Sequence, residues 1–192
     1  MDEKIKLPET VMLIDAAFLN FVIVDLKKYF ENQLNRPLQQ IDLSSLTTYL
    51  ALDAGIAEGD NKVQLLFVYD QNSSRLIDCK PADFKKELDG VAFSNQFGEF
   101  SFAGVPCEDM VSRGELFLDM LDIVIDSPDV KKLVVISFNE EYGDKVVKTL
   151  NAVKEKEIVQ FCMSEPEGTV EYRWEILAFP LMQALGIRGD EL

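Results

Sequence analysis

Carboxylates are the residues of this chain that could do chemistry, because its 192 residues include no histidine. Histidine is the side chain whose unperturbed pKa suits acid–base catalysis at neutral pH, and it is a common ligand of zinc and copper. Two acids each follow an apolar run, since Asp15 ends the segment VMLID and Asp70 ends the segment VQLLFVYD. An acid at the carboxyl end of a parallel strand faces the crevice in which open α/β sheets bind ligands. We therefore expect Asp15 and Asp70 to lie in such a crevice.

A further group of acids recurs along one predicted helix. Ser112 and Glu115 have the spacing of a capping box, which predicts a helix over residues 113–126. Within it, steps of four, three and four residues place four carboxylates on one face: Glu115, Asp119, Asp122 and Asp126. One interpretation is the solvated face of a largely buried helix. In the other, this stripe meets Asp15 and holds Mg²⁺ or Mn²⁺, ions that suit carboxylate-and-water sites and usually serve phosphodiester hydrolysis.

The elements that must position these acids are apolar runs alternating with helical patterns. Strands are predicted at residues 11–15, 63–70, 98–105, 132–137 and 158–163. Helices are predicted at residues 16–35, 42–55, 113–126, 144–154 and 170–185, the last kinked by Pro180 and anchored by Trp174. A shorter helix opened by Pro81 is expected within PADFKKELDG. Because helical crossovers join parallel strands, the sequence predicts one α/β domain, a three-layer α/β/α sandwich with a mostly parallel, doubly wound sheet.

Composition limits the partners that the protein would meet. Lysine and arginine number 19 against 34 acidic residues, so the formal charge of −15 repels nucleic acid. Three widely spaced cysteines indicate reduced thiols rather than a disulfide framework. The chain begins without the pattern of a signal peptide, and no apolar run reaches the ~18 to 20 residues that span a membrane. We therefore expect a cytoplasmic protein with no membrane partner, and the sequence leaves a homodimer open.

Three stretches, taken together, resemble the NYN branch of the PIN-like ribonuclease superfamily. VMLIDAAFLN is similar to the family's apolar strand followed by Asp, two small residues and Asn. RGELFLDMLDIVID resembles the family's basic-Gly entry into an acid-bearing helix, and LVVISFNEEYGDKVVKTL resembles a strand followed by Ser-Gly-Asp-Ser-Asp-Phe and a helix. The stretches span roughly residues 11–163. This resemblance implies a PIN-like fold and a ribonuclease that uses Mg or Mn.

The resemblance also implies site residues. It gives catalytic roles to Asp15, Glu141 and Asp119, and metal-binding roles to Asp15, Glu115, Asp119, Asp122, Asn139 and Glu141. Within the helix, the family pattern matches either Glu115 with Asp119 or Asp122 alone. The chain departs from the family pattern where Phe18 stands for Asn, Phe138 for Gly and Asn139 for Asp, and Tyr142 stands for Phe. A neutral amide in place of a carboxylate removes one formal charge, so a divalent ion should bind more weakly.

Three functions follow from these observations. The favoured one is a divergent NYN/PIN-like domain with weakened or lost nuclease activity, which acts as a binding or scaffolding domain. The second is an active Mg/Mn-dependent ribonuclease, but its RNA groove would need scattered bases that are more typical of a solvated surface: Lys80, Lys85, Lys86, Arg113, Lys131 and Lys132. The third is a receiver-like signalling domain using Asp15 and Asp70, which fits poorly because Ala16 and Ala17 stand beside Asp15.

Overall fold

A computed structural model describes residues 6–192. Its strands are β1 (Thr10–Asp15), β2 (Ile41–Asp42), β3 (Asn61–Tyr69), β4 (Cys79–Lys80), β5 (Ala92–Asn95), β6 (Gly98–Pro106), β7 (Lys132–Ile136), β8 (Glu157–Cys162) and β9 (Arg173–Ile176). The α-helices are α1 (Ala16–Leu34), α2 (Leu43–Asp53), α3 (Arg113–Asp126), α4 (Asn139–Asn151) and α5 (Ala178–Ala184). Short helical turns occur at Gln71–Ser73, Phe84–Leu88 and Gly189–Glu191. No helix within residues 6–192 is both long enough and apolar enough to span a membrane.

Seven strands form the central sheet in the order β5-β6-β3-β1-β7-β8-β9, and every pairing is parallel except that of β5 with β6. Helices cover both faces of this sheet. Met12 and Ile14 of β1 pack in the core with α1, α2 and α5, whereas Val11 and Leu13 pack in the second core with α3 and α4. Alternation of side chains along a strand produces these two faces. The predicted three-layer α/β/α sandwich with a mostly parallel sheet is confirmed.

The sheet changes its direction of growth at β1. The chain adds β3 and then β6 on one side of β1, and it later returns to place β7 on the other side. The carboxyl ends of β1 and β7 thus define a topological switch point, where open α/β sheets form their ligand crevice. α1 follows β1 directly and α4 begins three residues after β7, so the first turns of both helices border this crevice.

Strand pairing replaces part of the helix that was predicted near the end of the chain. Residues 170–185 do not form one helix, because Arg173–Ile176 is the edge strand β9, which pairs with β8 and contains Trp174. The helix that follows covers only Ala178–Ala184, with Pro180 in its first turn, where a missing backbone N–H costs no helical hydrogen bond. In PADFKKELDG the helical turn is capped by Asp83 rather than opened by Pro81.

The helix predicted over residues 144–154 begins earlier than its pattern indicates. α4 already starts at Asn139 and contains a kink at Tyr142, whose φ of −147° and ψ of 21° are not helical. This kinked first turn carries both Glu141 and Tyr142 at the edge of the crevice. The helix over residues 113–126 is confirmed with the predicted bounds.

Candidate functional site

Asp15 is a buried carboxylate at the junction of β1 and α1. One of its oxygens, Oδ1, accepts a hydrogen bond of 3.2 Å from the backbone N–H of Phe18 and so caps α1. The other oxygen, Oδ2, accepts a hydrogen bond of 2.5 Å from the hydroxyl of Tyr142. Arg113 Nε lies 3.0 Å from each of the two oxygens. A buried carboxylate is costly unless it is paired and hydrogen-bonded, and these partners supply both.

Arg113 joins three carboxylates that come from three different parts of the chain. Besides Asp15, its Nη1 contacts Asp70 at 2.7 Å and its Nη2 contacts Glu141 at 2.5 Å. The Arg113 side chain is 12% exposed, against 0% for Asp15, 25% for Asp70 and 47% for Glu141. Its Cζ atom also lies 5.5 Å from the ring centre of Phe138. We call Arg113 with Asp15, Asp70 and Glu141 the arginine–carboxylate cluster.

Contacts within the cluster shift the pKa values of Arg113 and Asp70. Burial opposes the charge on Arg113, but the charge of Asp15 and the hydrogen bonds of Asp70 and Asp15 outweigh it and raise the pKa of Arg113. Burial by itself would raise the pKa of Asp70, but the hydrogen bonds from Arg113 and Ser73 outweigh this effect and lower the pKa. Burial and the adjacent Asp15 raise the pKa of Tyr142, so this phenol keeps its proton and acts as a donor.

Asn139, a predicted metal ligand, takes part in a separate polar network at the ends of β7 and β8. Its Oδ1 accepts hydrogen bonds from Ser137 Oγ at 2.6 Å and from Gln160 Nε2 at 3.4 Å. Its Nδ2 donates to the Cys162 sulfur at 3.8 Å, and Tyr172 donates its hydroxyl to Gln160 at 2.7 Å. This network satisfies buried polar groups under the first turn of α4. The amide oxygen of Asn139 is therefore engaged with protein donors.

The acidic stripe of α3 faces solvent. Glu115 forms the predicted capping box, because its Oε2 accepts from Ser112 N–H at 3.2 Å while Ser112 Oγ accepts from Glu115 N–H at 3.1 Å. The other three acids of the stripe lie at exposed positions: Asp119, Asp122 and Asp126. Of the residues predicted for catalysis or metal binding, the structure brings together Asp15 and Glu141. It leaves Glu115, Asp119 and Asp122 on the solvated face.

The Arg113 guanidinium lies where a divalent ion would have to contact the carboxylates of the crevice. Across residues 6–192, no group of three or more His, Cys, Asp or Glu side chains has an arrangement that could hold a metal ion. Asp15, Asp70 and Glu141 do converge, but the Arg113 guanidinium already bonds to the oxygens that a metal ion would need. A divalent ion added there would face a fixed positive charge at contact distance.

Sequence reasoning predicted two acids of the crevice but did not assign Arg113 or Tyr142 to the site. Asp15 and Asp70 were expected in one crevice, which is confirmed by their shared contact with Arg113. The sequence did carry a signal for Arg113, because a base in the first turn of a helix is unfavourable to the helix dipole and calls for an acidic partner. Tyr142 had only a weaker signal, a hydroxyl at the position where the resembling family has Phe.

The fold and the site together define an α/β sandwich protein whose switch-point crevice is closed by an arginine–carboxylate cluster. The chain belongs to the family described as "Family of unknown function (DUF6621)", whose model matches residues 4–192. Comparison with curated proteins and with solved structures finds no match to either.

Proposed function

We propose that this protein is a divergent NYN/PIN-like domain that acts as a binding or scaffolding domain and has lost metal-dependent nuclease chemistry. The observation that carries the proposal is the contact of one guanidinium, that of Arg113, with Asp15, Asp70 and Glu141. In the sequence, Asp15 and Glu141 are acids that the family resemblance assigns to catalysis. Here they neutralise a side chain instead.

Displacing Arg113 would be costly for an incoming metal ion. Its side chain is 12% exposed, and the guanidinium would have to leave Asp15, which is fully buried. Breaking a buried ion pair by removing one partner typically costs about 3–5 kcal/mol. Binding of a divalent ion in the crevice would have to offset this loss before any affinity could be measured. The carboxylates of the crevice therefore favour Arg113 over a divalent ion.

An active Mg/Mn-dependent ribonuclease is the second candidate, and the convergence of three carboxylates at the switch point is the observation that favours it. It requires Arg113 to leave the crevice when metal binds. The half-exposed Glu141 would then be the carboxylate most accessible to an entering ion.

Calorimetric titration of Mn²⁺ separates the two candidates. We expect no binding to the wild-type protein at millimolar Mn²⁺, and new binding to Arg113→Met, because that substitution releases three carboxylates without adding a charge. Arg75→Met is the matched control, since the exposed Arg75 has a single acid, Asp83, at 4.0 Å. Adding Glu141→Gln to Arg113→Met should weaken the new binding again.

The wild-type protein and Glu141→Gln together can overturn the proposal, whether or not Arg113→Met folds. Micromolar Mn²⁺ binding that is lost in Glu141→Gln would contradict a crevice closed by arginine. Cleavage of single-stranded RNA in Mn²⁺, abolished by the same substitution, would establish the nuclease instead. Glu141→Gln suits this purpose because its side chain is partly solvated, so the variant should fold.

A further inference from the structure

The two edges of the central sheet are protected unequally. β9, at one edge, carries Arg173 and Glu175, whose side chains pair at 2.8 Å. Arg173 also donates to the carbonyl oxygen of Asp53 at 2.7 Å, which ties this edge to the end of α2. Charged side chains and covering contacts are the usual means of keeping an edge strand from pairing with another chain. β5, at the other edge, has the sequence AFSN and contains no charged residue.

Backbone groups of β5 point away from the sheet at two positions. Phe102 N–H donates to the carbonyl oxygen of Val91 at 2.8 Å, so the backbone of Val91 faces β6. Backbone groups alternate in direction along an antiparallel strand. Those of Phe93 therefore also face β6, and those of Ala92 and Ser94 face outward. Within residues 6–192, no turn or loop bonds to these outward groups, so they can pair with another strand.

The surface around β5 is uncharged. Residues 90–98 contain no acid and no base, although 28% of the chain is charged. We call these residues the uncharged edge. A hollow of about 250 Å³ extends the same surface from β5 to α2, where it is lined by Ser44, Ser45, Thr48 and Tyr49. Neither attraction nor repulsion between charges therefore selects what lies directly against β5.

The charges that border the uncharged edge are placed away from it. The turn before β5 carries two bases and two acids: Lys85, Lys86, Glu87 and Asp89. Asp89 accepts from the Gly104 N–H of β6 at 3.1 Å, which holds it against β6. Glu99 lies on β6, one strand in from the edge. Asp42 caps the start of α2, and Asp60 lies beside the hairpin that joins β5 to β6.

We infer that β5 pairs with β5 of a second copy of the chain, antiparallel and centred on Phe93, so that two sheets join into one. Ala92 exchanges N–H···O bonds with the partner's Ser94, and Ser94 exchanges them with the partner's Ala92. Phe93 faces the partner's Phe93 at a position where cross-strand side chains come close. Its ring already stacks on Phe100 at 5.2 Å, so the pairing continues an existing aromatic stack.

Self-complementarity favours a second copy over a different partner. A twofold axis at Phe93 brings the same uncharged edge to both sides, and the interface is isologous. In this arrangement the Glu99 side chains of the two copies are separated by three strand spacings, roughly 14 Å, which exceeds the Debye length at physiological salt. This pairing is independent of the crevice and of the function proposed for it.

The charge of the whole chain predicts how salt affects this dimer. Each copy has a formal charge of −15, so two copies repel each other through solvent. Added salt screens that repulsion and leaves the backbone hydrogen bonds of the strand pair in place. We therefore expect a weak dimer, with a Kd on the order of 100 µM, that becomes severalfold tighter between about 50 and about 500 mM NaCl.

Sedimentation velocity over a series of protein concentrations, with a reductant present to prevent disulfides, tests the inference. Ser94→Asp places a charge on the uncharged edge. Its matched control is Ser164→Asp, since Ser164 is an exposed serine in the loop after β8, towards the opposite edge of the sheet. Both substitutions add the same charge, so a difference between them reports its position. Ser94→Pro removes the outward N–H without adding a charge, and proline is tolerated on edge strands.

We expect Ser94→Asp and Ser94→Pro each to weaken the dimer at least about tenfold, and Ser164→Asp to change it less than about twofold. A wild-type protein that sediments as a 21.7 kDa monomer up to about 500 µM would overturn the inference. Equal losses in Ser94→Asp and Ser164→Asp would overturn the assignment to β5. A dimer that dissociates as salt is added would point to ion pairs instead. None of these outcomes involves Mn²⁺, so the metal titration remains the separate test of the proposed function.

Discussion

A guanidinium and a divalent cation require the same thing of Asp15, Asp70 and Glu141, namely carboxylate oxygens directed at a positive charge. They differ in that Arg113 is part of the chain, carries its charge at every physiological pH and donates through a planar fork. Its Nε, Nη1 and Nη2 atoms each take one carboxylate. The cluster therefore assembles with the fold and depends on no ion from solution.

The lowered pKa of Asp70 predicts how acid affects stability. A carboxyl group whose pKa is lower in the folded state than in the unfolded state adds to the free energy of unfolding above its ordinary pKa of 3.8. That contribution is lost as the pH falls through the lower folded pKa. We therefore expect Asp70→Asn to be less stable than wild type at neutral pH, with a difference in the free energy of unfolding that narrows as the pH falls below 3.8, measured by urea unfolding.

Asp122→Asn is the control for this prediction, because Asp122 is an exposed carboxylate on the solvent face of α3. Its difference from wild type at neutral pH should be smaller than that of Asp70→Asn. A destabilisation of Asp70→Asn that stayed constant from neutral to acid pH would mean that the charge of Asp70 does not contribute through Arg113.

At the scale of elements, α3 presents Arg113 to the crevice from its first residue. Ser112 and Glu115 satisfy backbone N–H groups of this turn in a capping box. Gly114 allows the close approach of α4, because a Cβ atom there would lie 2.9 Å from the Tyr142 ring. The first turn of α3 is thus held against the first turn of α4, and this contact brings Arg113 and Tyr142 to the same carboxylate, Asp15.

Removing the cap should loosen this turn. Ser112→Ala deletes the oxygen that accepts from Glu115 N–H, and loss of an N-cap side chain typically costs about 1 kcal/mol of the free energy of unfolding. Ser127→Ala makes the same change at the other end of α3, where the backbone of Ser127 provides the cap contact, and should cost less. Urea unfolding of both variants checks the prediction, and equal losses would contradict the role of the cap.

At the scale of the whole molecule, the reactivity of the three thiols depends on how deeply the fold buries each of them. Cys79 and Cys162 are buried, and burial raises their pKa values to about 12 and about 11 respectively. Burial also raises the pKa of Cys107, but this thiol is only half-buried, and its Sγ lies 2.7 Å from the carbonyl oxygen of Val111. Because the thiolate is the reactive form, a thiol held protonated in the core cannot react until the core opens.

Ellman's reagent should therefore react at neutral pH with the Cys107 thiol of the folded protein, and with all three thiols after unfolding in urea. Cys107→Ser should remove the reaction of the folded state and keep that of the two core thiols in urea. Rapid reaction of Cys79 or Cys162 in the absence of urea would mean that the cores on the two faces of the sheet open under native conditions.

The sequence by itself determined the features that local patterns encode. Apolar runs ending in Asp15 and Asp70 predicted acids at strand ends that face a crevice, the capping box predicted α3, and helical connections predicted a parallel sheet. These are properties of side chains a few residues apart. In the same way, the repeat of acids along α3 correctly placed them on one face, which the structure finds exposed.

Only the tertiary structure decided what the acids contact. Arg113 lies 98 residues along the chain from Asp15 and 43 from Asp70, and no local periodicity connects them. Trp174 is likewise in a strand because β8 offers it a backbone partner, which outweighs the helical pattern of its own segment. Ion pairs and strand pairing at sheet edges join distant residues, so their choice of partner depends on the assembled fold and not on the neighbouring sequence.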